Sequence, residues 1–142
     1  MFATIHWIFG AAIGEIFSKL WLIAIIAFAS HWILDWIPHY CPHAPKNKKE
    51  FLIKAIEPTL GLIIMTILIL TSPDKKIQML TGSIFAFLPD VFSYIGYKTN
   101  NKFLNTVTPR PGNKFYHELQ NKKGLFMQGL FFTTGLILFY IF

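Results

Sequence analysis

Charged residues and cysteine are both scarce in this sequence. Only 14% of its 142 residues are charged, whereas 54% are hydrophobic and 17% are aromatic. Soluble domains carry about a quarter charged residues, so the composition excludes an ordinary water-facing surface. The one cysteine, Cys41, excludes an intramolecular disulfide framework.

Acidic residues are fewer than basic ones, and the formal net charge is +6. The basic residues lie in short segments between apolar runs, which is typical of a membrane protein. A nucleic-acid-binding protein would instead carry a basic stripe on a soluble surface. We therefore expect membrane lipid as a partner and no nucleic acid.

The apolar runs predict an all-α, polytopic helical membrane protein with about five membrane helices in a single domain, 1–142. The first helix is short and is expected to form a hairpin with the second through a turn near Ser18. The expected spans are about 2–17, 20–38, 51–72, 77–97 and 124–142.

Loop charge predicts the orientation of these spans. With five crossings, loops 38–50 and 98–123 share a side with the N-terminus. Counting Lys54, that side holds ten basic residues and the other side holds three. The excess predicts that the N-terminus lies inside.

A small-residue face on the first helix, around Gly10 and Gly14, allows another helix to approach closely. Packing within the chain is its more frequent use. Contact between two copies, giving a homo-oligomer, is the alternative.

Three acidic residues, Asp35, Glu57 and Asp90, fall within apolar spans. A charge there costs at least ~2.5–3.5 kcal/mol on insertion scales, so such residues face a protein interior or a wet cavity and indicate function. The alternatives are a carboxyl solvated at the interface and a protonated carboxyl bonded to a neighbour. Glu15 lies at the opposite end beside Lys19, where a role in the helix turn suffices.

The sharpest motif is the spacing of His31, Asp35 and His39, which places them on one helical stripe. Histidine and carboxylate one turn apart is ligand-like spacing for a divalent metal. Pro38 leaves the carbonyl of Leu34 without its helical donor, so the helix is expected to kink or end there. The alternative is a helix end whose histidines reach the membrane interface.

A second motif joins proline to an acid. Pro89 leaves the carbonyl of Phe85 free beside Asp90. Glu57 and Pro58 repeat the pairing, although Pro58 could instead mark the first turn of a helix that begins near Glu57.

Most of the polar residues fall in the same half of the predicted membrane, which predicts one site at the inner face. They are His6, His31, Asp35, His39, Glu57, Asp90 and His117. A weaker possibility is a zinc clip formed by His39, Cys41 and His43 alone. Arg110 could hold a phosphate or carboxylate, although a solvated loop arginine is more usual.

The positions of His6, of Gly82 to Pro89-Asp90, and of His117 resemble the bacterial and archaeal membrane-bound metal-dependent hydrolase-like proteins, including the LexA-regulated inner-membrane type. The resemblance implies an integral protein of a prokaryotic inner (cytoplasmic) membrane. The chain departs from the pattern after Asp90, where Val91 and Phe92 replace the acid and histidine that the family often shows.

The leading hypothesis is a membrane-embedded metal-dependent hydrolase that acts on an amphiphilic or lipid-linked substrate. A divalent metal, with zinc preferred, would be held by His31, Asp35, His39, Asp90 and His6. Glu57 and His117 would serve as general base and acid. The alternatives are a protein that binds or transports metal ions or protons, and a non-catalytic membrane scaffold.

Overall fold

The computed structural model describes residues 2–37, 48–101, 103–104 and 122–141. Within these ranges the fold consists of helices without strands, so the all-α prediction is confirmed. The five helices are α1 (Ala3–Ile16), α2 (Leu20–Trp36), α3 (Lys48–Thr71), α4 (Lys76–Thr99) and α5 (Lys122–Ile141), with a 3-10 turn at Pro73–Lys75 before α4.

Proline ends one helix and is accommodated inside two others. α2 ends at Trp36, and Ile37 is extended, with φ −75° and ψ 134°. The residue before a proline avoids the helical region, so Pro38 accounts for this ending as predicted. Pro58 lies inside α3, which begins ten residues earlier at Lys48, and therefore does not mark a helix start. Pro89 likewise lies inside α4.

The short helix α1 is the centre of the fold. It contacts each of the other four helices. Its 14 residues extend about 21 Å, less than the roughly 30 Å of a bilayer core. Because neighbouring helices surround it, its polar residues Thr4 and His6 are buried in protein. A side chain on α1 can therefore meet groups from several helices.

α1 and α4 are in backbone contact through their glycines. A Cβ atom on Gly10 would overlap the backbone of Gly82, and a Cβ on Gly14 would overlap the backbone of Gln78. Gly10 and Gly14 thus pack against α4 of the same chain, the use that their sequence pattern favours. The close approach brings the α4 residues that follow Gly82 next to the first turns of α1.

Two segments are long and apolar enough to cross a membrane, Pro73–Gly96 and Gly124–Ile141. Only 33% and 22%, respectively, of the residues in their most apolar windows are buried, whereas the core helix of a soluble protein is mostly buried. α1, α2 and the 55–71 part of α3 are also apolar but shorter.

Candidate metal centre

Three helices bring two histidines and two carboxylates together at one end of the fold. His6 comes from α1, His31 and Asp35 from α2, and Asp90 from α4. His31 and Asp35 share a face of α2 because they are one helical turn apart. The side chain of His6 is 0% exposed and that of Asp35 is 12% exposed. The group is therefore largely removed from solvent.

Asp35 contacts both histidines. Its Oδ1 lies 3.3 Å from His6 Nε2, and its Oδ2 lies 3.3 Å from His31 Nε2. Asp90 Oδ1 lies 3.8 Å from the same His31 nitrogen. The two imidazole rings stack with their centroids 4.1 Å apart and an interplanar angle of 25°. Both Nε2 atoms thus face carboxylate oxygens.

The hydrogen bond of the other ring nitrogen, His31 Nδ1, determines whether Nε2 carries a hydrogen or a lone pair. His31 Nδ1 lies 2.9 Å from the backbone oxygen of Ala86, which can only accept a hydrogen bond. Nδ1 must therefore carry the hydrogen, and a neutral His31 has its lone pair on Nε2. That lone pair faces the oxygens of Asp35 and Asp90, so the contact is favourable only with a proton or another cation between the atoms. Metal-binding histidines commonly donate their second N–H to a backbone carbonyl in this way.

His6 has the same requirement for a partner. Both of its ring nitrogens are buried, and neither has a hydrogen-bond partner among the described residues. Its 3.3 Å contact with Asp35 has the length of an ion pair. A buried polar group left without a hydrogen bond costs about 1–3 kcal/mol. A cation between the histidines and the carboxylates would satisfy His6 as well as His31.

The donor set fits a divalent metal ion. His6, His31 and Asp90 can each offer one ligand atom, and these atoms lie within 4.8 Å of one another. Three protein ligands with a further position open to water is the arrangement of catalytic zinc sites. The Asp90 side chain is 38% exposed, so the group is accessible from its side. Imidazole and carboxylate ligands also suit other first-row metals, so the donor set does not single out zinc.

Glu57 lies apart from these residues. Its Oε1 accepts a hydrogen bond from the backbone N–H of Thr4 (2.7 Å), and its backbone oxygen accepts one from Thr4 Oγ1 (3.0 Å). The amide of Thr4 is one of the donors that the first turn of α1 leaves unpaired, and a carboxylate there stabilises the helix start. Thr4 and His6 are about 200° apart around α1. Glu57 therefore contacts the face of α1 opposite to the one that carries His6.

Several predicted site residues lie outside the described residues, namely His39, Cys41, His43, Arg110 and His117. At the far end of α1, Glu15 accepts a hydrogen bond at its backbone oxygen from Lys75 Nζ (3.0 Å). This contact joins α1 to the turn before α4 through the backbone. The Glu15 Oε2 atom is buried and has no hydrogen-bond partner among the described residues, which differs from the solvated side chain that was expected.

Sequence reasoning missed Ala86 and Thr4. The carbonyl expected to be available on α4 was that of Phe85, but the carbonyl that His31 contacts is that of Ala86, one residue later. A signal was present, because Gly82 and Ala86 are small residues one turn apart, which favours close approach of another helix. Thr4 lacked such a signal, since its role depends on the position of α3.

No protein-family model, curated protein or solved structure matches this chain. Its class therefore follows from fold and site alone. Over the described residues, the protein is all-helical, has two helices able to cross a membrane, and has a buried histidine and aspartate group able to hold a metal ion.

Proposed function

We propose that the chain is an integral membrane protein with all five helices embedded in the bilayer. Large apolar side chains face outward on each helix that surrounds α1, for example Trp21 (62% exposed), Leu70 (65%), Ile77 (66%) and Phe126 (72%). Polar side chains such as His6, His31 and Ser83 are buried instead. An apolar exterior around a polar interior is the arrangement that lipid favours.

We propose that this membrane protein is a metal-dependent hydrolase. The observation that carries the proposal is His31, whose Nδ1 is engaged by the Ala86 carbonyl while its Nε2 faces two carboxylates. In this site His6, His31 and Asp90 hold a divalent ion. When bound, such an ion supplies Lewis acidity, which makes hydroxide available near neutral pH and polarises an ester or phosphoryl group.

The remaining carboxylate, Asp35, is suited to accept a proton. Its two oxygens each lie 3.3 Å from a histidine Nε2, so it sits beside the ligand atoms of both rings. A general base must lie within hydrogen-bonding reach of the water that it deprotonates. We therefore assign Asp35 the role of base for the attacking water, in place of Glu57, which contacts Thr4.

The position of the site along the helices suggests an amphiphilic or lipid-linked ester as substrate. His6 is the fourth residue of α1, and Asp35 is the penultimate residue of α2. Groups so close to helix ends lie near the level of the lipid headgroups. By the distribution of basic residues this is the inner face of the membrane.

Hydrolysis is proposed ahead of transport because most of the buried polar residues among those described lie towards one end of the bundle; they are Thr4, His6, His31, Asp35, Ser83 and Gln128. Between the site and the far end, Ser83 donates a hydrogen bond to the carbonyl of Trp7 (3.0 Å), which joins α4 to α1. A relay needs polar groups that continue across the bilayer. Metal or proton flux in proteoliposomes, at a rate that depends on His31, would favour transport instead.

Metal analysis of the detergent-purified chain tests the proposal. We expect stoichiometric divalent metal in the natural protein and its loss in His31→Ala. Ser30→Ala is the matched control, because Ser30 neighbours His31 and donates a hydrogen bond to the Ala27 carbonyl of its own helix (2.7 Å). Hydrolysis of a phospholipid or acyl-ester panel should follow metal content. A metal-free natural protein, or a His31→Ala variant that keeps its metal, would refute the metal site.

A further inference from the structure

A cavity lies between α1, α3 and α5, on the face of α1 that carries Thr4. Its volume is about 610 Å³. The described residues that line it are mostly apolar, including Ile5, Leu52, Ile56, Leu60, Leu125 and Phe132. Thr4, Glu57 and Gln128 are its polar members. We call this cavity the acyl cleft.

We propose that the acyl cleft binds one hydrocarbon chain of an anionic phospholipid. Its volume of about 610 Å³ falls within the roughly 300–1,000 Å³ of small-molecule sites. Along α3, the lining residues from Leu52 to Ile64 extend about 18 Å. The hydrocarbon of one bilayer leaflet is about 15 Å thick, so the cleft matches the length of a lipid chain.

The sequence at the starts of α3 and α5 favours an anionic headgroup. The two long walls of the cleft are α3 and α5. Each of these helices begins with a pair of lysines, Lys48-Lys49 in α3 and Lys122-Lys123 in α5. Leu52 and Leu125 enter the cleft within one helical turn of those pairs. Lysines at the membrane surface attract anionic lipids. A headgroup at the level of these helix starts would leave its chain beside the apolar walls.

This inference rests on the membrane placement proposed above but not on the metal. The metal cluster and the acyl cleft use different faces of α1, and His6, His31 and Asp90 are not among the residues that line the cleft. A chain without bound metal would therefore still be expected to bind lipid. Metal content measured on the same samples keeps the two outcomes separate.

Gly129 permits a direct test. It lines the acyl cleft, and a Cβ atom there would meet no other atom within 4 Å. Gly129→Phe should therefore fill the cleft with little displacement of its neighbours. Leu130→Phe is the matched control, since Leu130 is the next residue of α5, is 50% exposed and does not line the cleft.

The experiment is native mass spectrometry of the full chain in detergent, titrated with dioleoyl phosphatidylglycerol or dioleoyl phosphatidylcholine. The natural protein and Leu130→Phe should bind phosphatidylglycerol in preference to phosphatidylcholine. Gly129→Phe should bind phosphatidylglycerol at least about tenfold more weakly than the natural protein. Unchanged binding by Gly129→Phe, an equal loss in Leu130→Phe, or equal binding of the two lipids would overturn the proposal.

Further measurements distinguish loss of lipid binding from a folding defect and from an interface between two copies of the chain. Gly129→Leu places a smaller group in the same space and should reduce binding to an intermediate degree with unchanged helicity and metal content. If Gly129→Phe instead converts a dimer into a monomer without changing lipid binding, the cleft is an interface between two copies, and the lipid assignment is wrong.

Discussion

At the scale of single residues, the two aspartates of the cluster have different surroundings. The Asp35 side chain is 12% exposed and contacts both histidines, whereas that of Asp90 is 38% exposed and contacts His31 at 3.8 Å. Asp90 belongs to the group whose ligand atoms lie within 4.8 Å of one another. Under the proposed function, these differences make Asp90 the ligand and Asp35 the carboxylate that orients the histidines and accepts a proton.

Asn substitutions test this division because they keep the size of each side chain. Asp35→Asn should weaken metal affinity by about 10–100-fold, as is usual for partners of metal-bound histidines, and should abolish hydrolysis even at saturating metal. Asp90→Asn should weaken metal affinity further, because it alters a ligand, and saturating metal should restore part of the activity. Competition titration with a chelating dye measures the affinities. Full activity of metal-loaded Asp35→Asn would contradict the assignment of the base.

At the scale of helices, the α1–α4 contact sets the geometry of the site. Gly10 and Gly82 meet through their backbones, and Ser83 donates to the Trp7 carbonyl a few residues farther along. His6 on α1 and Ala86 on α4 lie beyond this pair, towards the metal centre. A small separation of these two helices would therefore move His6 away from Asp90 and widen the group of ligand atoms.

Gly10→Ala is predicted to destabilise the fold by about 1–3 kcal/mol, because its methyl group overlaps the backbone of Gly82 and a helix must shift. Gly129→Ala is the matched control. Its Cβ meets no other atom within 4 Å, and alanine is the better helix former by up to about 1 kcal/mol. Thermal unfolding in detergent, followed by circular dichroism, measures both. Equal melting temperatures for the two variants would show that the contact is looser than described.

At the scale of the whole molecule, the exposed surface is apolar and the site is internal. α1 is too short to span a bilayer core alone, but it is enclosed by α2, α3, α4 and α5, which present their apolar side chains outward. In the proposed membrane placement, lipid would meet these four helices and would reach α1 at the acyl cleft between α3 and α5. This arrangement places a polar cluster inside a bundle whose outward side chains are largely apolar.

Orientation can be tested with single cysteines in a Cys41→Ser background. Asp74 and Thr99 are exposed and lie at the two ends of the α4 region. With the N-terminus inside, Asp74→Cys should react with an impermeant maleimide in intact cells, whereas Thr99→Cys should react only after permeabilisation. The reverse pattern would place the N-terminus outside, and equal labelling in intact cells would argue against a spanning α4.

The sequence by itself determined the helical class, the end of α2 before Pro38, and the position of His31 and Asp35 one turn apart on one face of α2. Apolar runs and proline act locally, so their effects can be predicted without knowing the fold. The sequence also predicted that His6 and Asp90 join those two residues, and the structure brings the four together. The tertiary structure decided that Ala86 orients His31 and that Glu57 contacts Thr4 on another face of α1. These contacts depend on how closely α1 and α4 approach and on the rotation of each helix about its axis. Both follow from packing between segments distant in the chain, which local spacing does not encode.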